Sequence, residues 1–354
     1  MPIPTEPIGS IPRPKTLIEG TQAFATGRLS REALAALHDE AVRDTISRFE
    51  ATGSPVITDG EQTKSSFATY PLEGLGHLAP DGVVITFADG HTRQLPRLTA
   101  GPFRYGTYAD TYLVAARRHA RGKVKQAVIA ASALSLLYPQ DGIPGYPREA
   151  FLDDLVREAR VDIRRCLDAG ADGVQIDFTE GRLAVKLDPS KQLLRAFVAL
   201  NNRVLDGFTA EERRRIGIHT CPGGDQDSTH SADVDYAELL PELFSVEVGN
   251  FYIQLASEPD RRRVLGIIKA HGNRARRIFV GVIDPIAPRV ETAEEVRDRV
   301  LEAAEYIEVD RLGTTDDCGF APFSDDVSTA RDTAFAKIRV RVAGTALAAR
   351  ALGV

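Results

Sequence analysis

The chain has 354 residues, 43% of them hydrophobic and 27% charged, which is the make-up of an ordinary soluble globular protein, long enough for one large barrel or two domains. A net charge of −6 gives no basic footprint for nucleic acid, and no apolar run approaches the length of a membrane span. The N-terminus, Met-Pro-Ile-Pro-Thr-Glu-Pro, lacks the basic-then-apolar order of a signal peptide. Three cysteines make no disulfide framework, so a reducing cytoplasm is the expected compartment.

Short β-like runs alternate with amphipathic helical patterns along the chain. Ile8–Ile11 opens the series, and a helical pattern over Arg31–Ala51 leads to the run Val56–Asp59. Residues 66–125 then break the rhythm. They contain two β-rich runs, Val83–Phe87 and Thr92–Leu98, on either side of Asp89-Gly90, which reads as a β-hairpin in an excursion after the second strand, a lid or an interface element. The alternation resumes with strands at Ala127–Ala131, Gly173–Asp177, Ile216–Thr220, Phe251–Ala256, Ile278–Ile283 and Leu312–Thr315. Helices are expected at Arg148–Ala169, Lys191–Gly207, Tyr236–Phe244, Arg261–His271, Thr292–Tyr306 and Thr329–Leu352. Thr292 before Ala-Glu-Glu predicts an N-cap, and Gly170 and Gly272 predict left-handed C-caps. Eight strand-then-helix units point to a (β/α)8 TIM barrel, a single domain over residues 1–354. No repeat or linker interrupts it.

In such a barrel the chemistry belongs at the C-terminal ends of the strands. Those ends carry Ser10, Glu61, Asp177, His219 with Cys221, Gln254, Asp284, and Asp316-Asp317-Cys318. A lone histidine there is most simply a hydrogen-bonded core residue. His-x-Cys with a second strand-end cysteine nearly a hundred residues on predicts a zinc site assembled by the fold, with His219, Cys221 and Cys318 as ligands. Three firm protein ligands leave a position for substrate. Cys166, inside a helical pattern, is expected to be a small core hydrophobe. Glu61 and Asp177 are either loop hydrogen-bond partners or anchors for a cationic group such as an ammonium. The polar stretch after Cys221, with Asp225, Asp227, Ser228, Thr229 and His230, is either a solvated loop or a cover over substrate.

These pieces, Ile8-Gly9-Ser10, Asp59-Gly60-Glu61, Val174-Gln175-Ile176-Asp177, His219-Thr220-Cys221 and Asp317-Cys318-Gly319, occur in the order in which they resemble the catalytic C-terminal barrel of cobalamin-independent methionine synthases. The resemblance implies zinc-dependent methyl transfer to the thiol of homocysteine, giving methionine. It implies His219, Cys221 and Cys318 as zinc ligands, and Ser10, Glu61 and Asp177 as the groups holding the amino-acid end of homocysteine. The implied partners are small molecules: the thiol and a methyl donor, folate or a methylcorrinoid; a homo-oligomer is compatible with all of this.

Three departures stand out. The additional N-terminal barrel of the long synthases, which helps to hold the polyglutamylated folate, is absent. The family's glutamate ligand has no clean counterpart; Gln254 falls near its place, with Glu247 upstream. Where the family carries a catalytic histidine, this chain has Asp284, so Asp284, or His230 on the long loop, would have to supply the acid. A second resemblance is to epoxyalkane–coenzyme M transferase, also a zinc thiol alkyltransferase, which would need cations such as Arg13, Arg104 or Arg289 for a sulfonate. Outside catalysis the alternative is a zinc- or thiol-binding protein without turnover, and a uroporphyrinogen-decarboxylase-like role is an alternative at the level of the fold.

Overall fold

The computed structural model describes residues 3–354. Seven parallel strands form one curled sheet in chain order. They are β1 (Val56–Ile57), β2 (Lys123–Ile129), β3 (Gly173–Asp177), β4 (Ile216–Thr220), β5 (Asn250–Ile253), β6 (Arg277–Ile283) and β7 (Leu312–Asp316). The expected strand at Ile8–Ile11 does not form. Pro4, Pro7, Pro12 and Pro14 crowd this stretch and remove ladder donors. The segment still touches both edges of the sheet. Glu6 donates its amide to the Thr314 carbonyl at 3.0 Å, and Ile11 donates to the Gly60 carbonyl at 3.0 Å. Thr58 Oγ1 donates to the Gly9 carbonyl at 2.8 Å.

Side chains alternate across the sheet with period two. Ile216 and Ile218 of β4, Phe251 and Ile253 of β5, and Ile278 and Val280 of β6 face the large apolar core shared with the helices. The intervening residues point to the other face, where Tyr252 and Phe279 stack at 4.7 Å and form a small cluster with Ile8. Gly217 and Gly313 make room for these rings. A Cβ at either would lie 2.5 Å from the ring of Tyr252 or Phe279. The same inner face carries Gln175, Asp177 and His219 toward the strand ends.

The helices follow the expected pattern: Arg31–Ala51, Arg148–Asp168, Gln192–Leu205, Tyr236–Leu243, Arg261–His271, Ala293–Ala304 and Arg331–Ala351. Thr292 caps its helix in a reciprocal capping box with Glu295, and Gly170 is left-handed with φ 87°. Gly272 is not; it is extended, with φ −66° and ψ 130°, and its role is steric, since a Cβ would lie 2.5 Å from the Ile268 carbonyl oxygen. Cys166 is fully buried in the core. Arg341, on the last helix, buries an ion pair with Asp316 and donates from Nε to Thr5 Oγ1 at 3.1 Å, which ties that helix to β7 and the N-terminal segment.

The excursion contains the expected hairpin. Val84–Thr86 pairs antiparallel with Thr92–Gln94 around Asp89-Gly90, with Gly90 at φ 93°. Leu78–Ala79 pairs with Arg97–Leu98 beside it. The polar stretch after β4 folds into its own tight turn, Gly224–Asp225 against Ser228–Thr229. Gln226 and Asp227 take positive φ at its tip, as a two-residue hairpin requires. The two hairpins are joined. Ala88 donates to the Thr229 carbonyl at 2.9 Å, and Arg93 Nε donates to Asp225 Oδ2 at 2.5 Å.

Candidate metal and substrate site

His219 is the penultimate residue of β4, and Cys221 follows the strand directly. Cys318 lies two residues beyond β7. Their ligand atoms all fall within 4.8 Å of one another. The two sulfurs are 3.1 Å apart, too far for a disulfide bond and shorter than the roughly 3.8 Å that one tetrahedral zinc would impose, so binding an ion would spread them slightly. Both ring nitrogens of the buried His219 lack any hydrogen-bond partner. Buried polar atoms are rarely left so, and an imidazole nitrogen facing two thiols is satisfied by a metal. The residues therefore fit a zinc ion. Without one, the neighbouring Cys221 and then burial push the Cys318 thiol well above its usual range.

Asp317, beside Cys318, braces the loop after β5. Its two oxygens accept from the amides of Leu255, Ala256 and Ser257 at 2.7–2.8 Å and from Ser257 Oγ at 2.7 Å. Gly281 on β6 leaves the space for this carboxylate, since a Cβ there would lie 1.8 Å from Oδ1. Gln254 is held on the same loop. Its Nε2 donates to Ser257 Oγ at 2.9 Å and to Glu258 Oε1 at 3.0 Å. Glu258 is in turn paired with the buried Arg182, which stacks 3.8 Å over Tyr236.

A small cavity brings together residues from five separate parts of the sequence: Ser10, Glu61, Asp177, His219 and Cys318 all line it. Cys318-Gly319 closes on Ser10, and a Cβ at Gly319 would lie 2.1 Å from Ser10 Oγ. Asp177 stands beside His219 in register across β3 and β4. Its Oδ1 accepts from Gln175 Nε2 at 2.7 Å, and burial pushes its pKa up to about 6, with His219 opposing. Glu61 is less free than the sequence suggested. Lys64 Nζ sits 3.0 Å from Glu61 Oε1 and 3.0 Å from the Ala127 carbonyl, beneath the rings of Tyr70 and Tyr112. Both members of the pair are buried. This internal cation was missed in the sequence, where Lys64 follows Glu61 by three residues with no pattern to mark it.

Two larger cavities adjoin this one. The first, of about 250 Å³, shares Cys318 and Gly319 with it and is lined by Gln254 and Asp284. Asp225, Asp227, Glu258 and Asp326 also face it, and Arg182 is its one arginine. Asp284 Oδ1 accepts from the Ile286 amide at 3.0 Å. The second, of about 410 Å³, lies under the excursion hairpin, and His230 lines this one. His230 therefore does not share a cavity with Asp284 or Gln254. Its Nδ1 lies 2.9 Å from Ser231 Oγ, and its ring meets Phe87 edge-on at 5.5 Å. Burial lowers its pKa to about 4, so near neutrality it carries no proton to give. The three arginines considered for a sulfonate are committed elsewhere. Arg13 donates to the carbonyls of Ala321, Glu61 and Lys64, Arg104 lies against Asp154 and Glu158, and Arg289 pairs with Glu295.

The match to the family model of the cobalamin-independent synthase catalytic domain covers residues 3–339. The chain belongs to this family. Among its relatives, the methionine synthase of Sulfurisphaera tokodaii is 24% identical over 346 residues, covering 97% of this chain and 91% of that protein. The methionine synthase of Saccharolobus solfataricus is 23% identical, covering 97% and 94%. The structure of a B12-independent methionine synthase from Shewanella sp. W3-18-1, in complex with selenomethionine, superposes with a TM-score of 0.79 at 20% identity, over 99% of both chains. At this identity the last comparison speaks for the fold. The family membership and the His219–Cys221–Cys318 cluster are consistent with a zinc site of the kind found in cobalamin-independent synthases.

Proposed function

We propose that this protein is a zinc-dependent thiol alkyltransferase that moves a methyl group to the sulfur of homocysteine to form methionine, acting as one (β/α)8 catalytic domain over residues 1–354. The observation that carries this reading is the cavity in which the histidine and cysteine of the metal cluster meet Ser10, Glu61 and Asp177. His219, Cys221 and Cys318 would hold the zinc, and Gln254, on the adjoining loop, would complete its surroundings. The chemistry supplied by the metal is acidification of a bound thiol, so that it reacts as a thiolate near neutral pH.

The remaining work falls to the chain's own residues. Asp177 is the anchor for the substrate ammonium, because Glu61 already has Lys64 as its cation. Ser10, fixed by the Ala321 amide on its Oγ at 3.2 Å, orients the amino-acid end. Holding that end fixes where sulfur points, and orientation of this kind supplies much of the rate of a two-substrate reaction. Asp284 lines the cavity shared with Cys318 and would serve as the acid on the donor side.

The test is to incubate zinc-loaded protein with homocysteine and, in separate reactions, methyltetrahydrofolate or methylcobalamin, and to measure methionine. Methionine from at least one donor, lost in Cys318→Ser, is the expected result. Failure with both donors, with thioether formed instead from coenzyme M and epoxypropane, would overturn the choice of homocysteine.

A further inference from the structure

The cavity of about 410 Å³ beneath the hairpin is unlike its neighbour. Its walls are Ile85 and Phe87 of the hairpin, Ile129 at the end of β2, Leu136, Leu183 and Phe323. It shares Phe67, Thr179, Gly223 and Gly224 with the cavity that holds the thiol-site residues, so the two chambers meet at one wall. A volume of this order holds a small organic molecule with most of its surface buried.

Two acids lie on the lining, Asp325, which is paired with Arg93, and Glu180, which has no cation beside it. Glu180 begins the helix Glu180–Leu187 at the end of β3 and is 4% exposed. A fixed chain of hydrogen bonds leads to it. Asn201 Nδ2 donates to Ser132 Oγ at 2.8 Å, and the Ser132 hydroxyl donates in turn to Glu180 Oε1. The other carboxyl oxygen, Oε2, is enclosed and has no partner. An enclosed carboxyl with no cation beside it keeps its proton; burial accordingly raises its pKa to about 8, with Ser132 and the nearby amides of Glu180 and Ala133 opposing, although neither amide makes a hydrogen bond of normal geometry to Oε2. Because Oε1 already accepts, the proton belongs on Oε2, and the carboxyl presents a donor. The one arginine on the lining, Arg93, is spent on Asp225 and Asp325, so nothing in the chamber is left to neutralise an anion.

We propose that this chamber is an accessory ligand site beside the thiol site, and that it takes an uncharged, mostly apolar molecule ending in a hydrogen-bond acceptor that receives a bond from Glu180 Oε2. That the ligand acts on alkyl transfer in the adjoining cavities rests on the reading of the protein as a thiol alkyltransferase; that the chamber binds this class of ligand does not.

The chain contains no tryptophan, which suits a fluorescence displacement assay. Metal-loaded full-length protein is saturated with N-phenyl-1-naphthylamine, and four bicyclic probes compete without any thiol present: 2-acetylnaphthalene, 2-ethylnaphthalene, 2-naphthoate and 2-naphthylmethylammonium. The ketone should displace best. One added hydrogen bond predicts a margin of roughly threefold to tenfold over the ethyl compound, and the charged probes should be weaker still. Glu180→Gln keeps an N–H donor and should keep the ketone's margin, while Glu180→Leu should abolish it and spare the ethyl compound. Ala133→Phe, or Leu136→Trp if the first variant misfolds by circular dichroism, should fill the chamber and weaken all four probes. Tightest binding by either charged probe, or unchanged binding in the filled variant, would overturn the proposal. No turnover enters this assay, so its failure and a failure to form methionine are separate results.

Discussion

The protonation of Glu180 makes a quantitative prediction about stability. Its pKa rises from an ordinary 4.5 to about 8 in the fold, because burial disfavours the charge. Between those two values the unfolded chain has released the proton while the native state still holds it, so stability falls as pH rises. The loss begins near the unfolded value and is complete above the folded one. Each pH unit inside that window costs about 1.4 kcal/mol, so raising pH from 5 to 7.5 removes roughly 3 kcal/mol through this single group. Glu180→Gln removes the titration and keeps the shape. Urea unfolding of both proteins at pH 5, 6, 7 and 7.5 should therefore show the variant gaining on the parent by about 3 kcal/mol across the series. Asp162, Asp177 and Asp317, each raised to about 6 by burial, tilt both proteins alike and drop out of the difference. Parallel curves for parent and variant would refute the reasoning and mean that Glu180 is ionised in the native state.

Other consequences follow from the same geometry. Cys318→Ser should weaken zinc binding by more than about 100-fold, since even outer partners of a metal site are worth 10–100-fold; zinc content after dialysis against a chelator reads this, and full occupancy would defeat the ligand assignment. Asp177→Asn should weaken homocysteine binding by about 2–5 kcal/mol with zinc retained, measured by calorimetry. In the parent, that binding should be present above about pH 6 and fade below it, because the Asp177 carboxylate must be ionised to hold an ammonium and its pKa is raised to about 6. Arg341→Met leaves Asp316 buried without its cation and should cost about 3–5 kcal/mol in urea unfolding; a near-neutral result would mean that the carboxylate accepts a proton without penalty.

Much of the site was legible because its residues end apolar runs. A side chain that follows a strand is positioned by the strand, so the pattern of His219, Cys221 and Cys318 pointed to their meeting at one place, as they do, without any contact being known. Long amphipathic helices were equally plain. The first strand was misread because Ile8 and Ile11 are apolar and flank a glycine, yet the prolines around them deny the segment its donors; the pattern of hydrophobicity survives where the hydrogen bonding does not. Glu180 was missed for a different reason. In Thr179-Glu180-Gly181 it looks like any acidic residue of a first helical turn, and its meaning depends on Asn201 and Ser132, which lie 21 and 48 residues away in the chain. Lys64 shares that property: a buried ion pair has the same sequence signature as one on a surface.

The donor question turns on charge and on the proton that a leaving group needs. Methyltetrahydrofolate must have its nitrogen protonated as the methyl leaves, and a positioned acid is worth on the order of 10²–10⁴ in rate. His230 cannot serve near neutrality with its pKa lowered to about 4, and it lines the chamber away from Asp284. On the proposed reading the acid would then have to be Asp284, whose carboxyl accepts from the Ile286 amide. The cavity it lines carries Asp225, Asp227, Glu258, Asp317 and Asp326 against one arginine, already paired with Glu258. A polyglutamate tail would meet like charge there, and like-charge contacts lower both affinity and encounter rate. Methyl transfer from the triglutamate form should therefore be no faster than from the monoglutamate, and both slower than from methylcobalamin, whose methyl leaves without a proton. Rapid methionine formation from the triglutamate form, abolished in Asp284→Asn, would reverse both parts of this reasoning: Asp284 would then be a competent acid, and the tail would bind where these carboxylates are not.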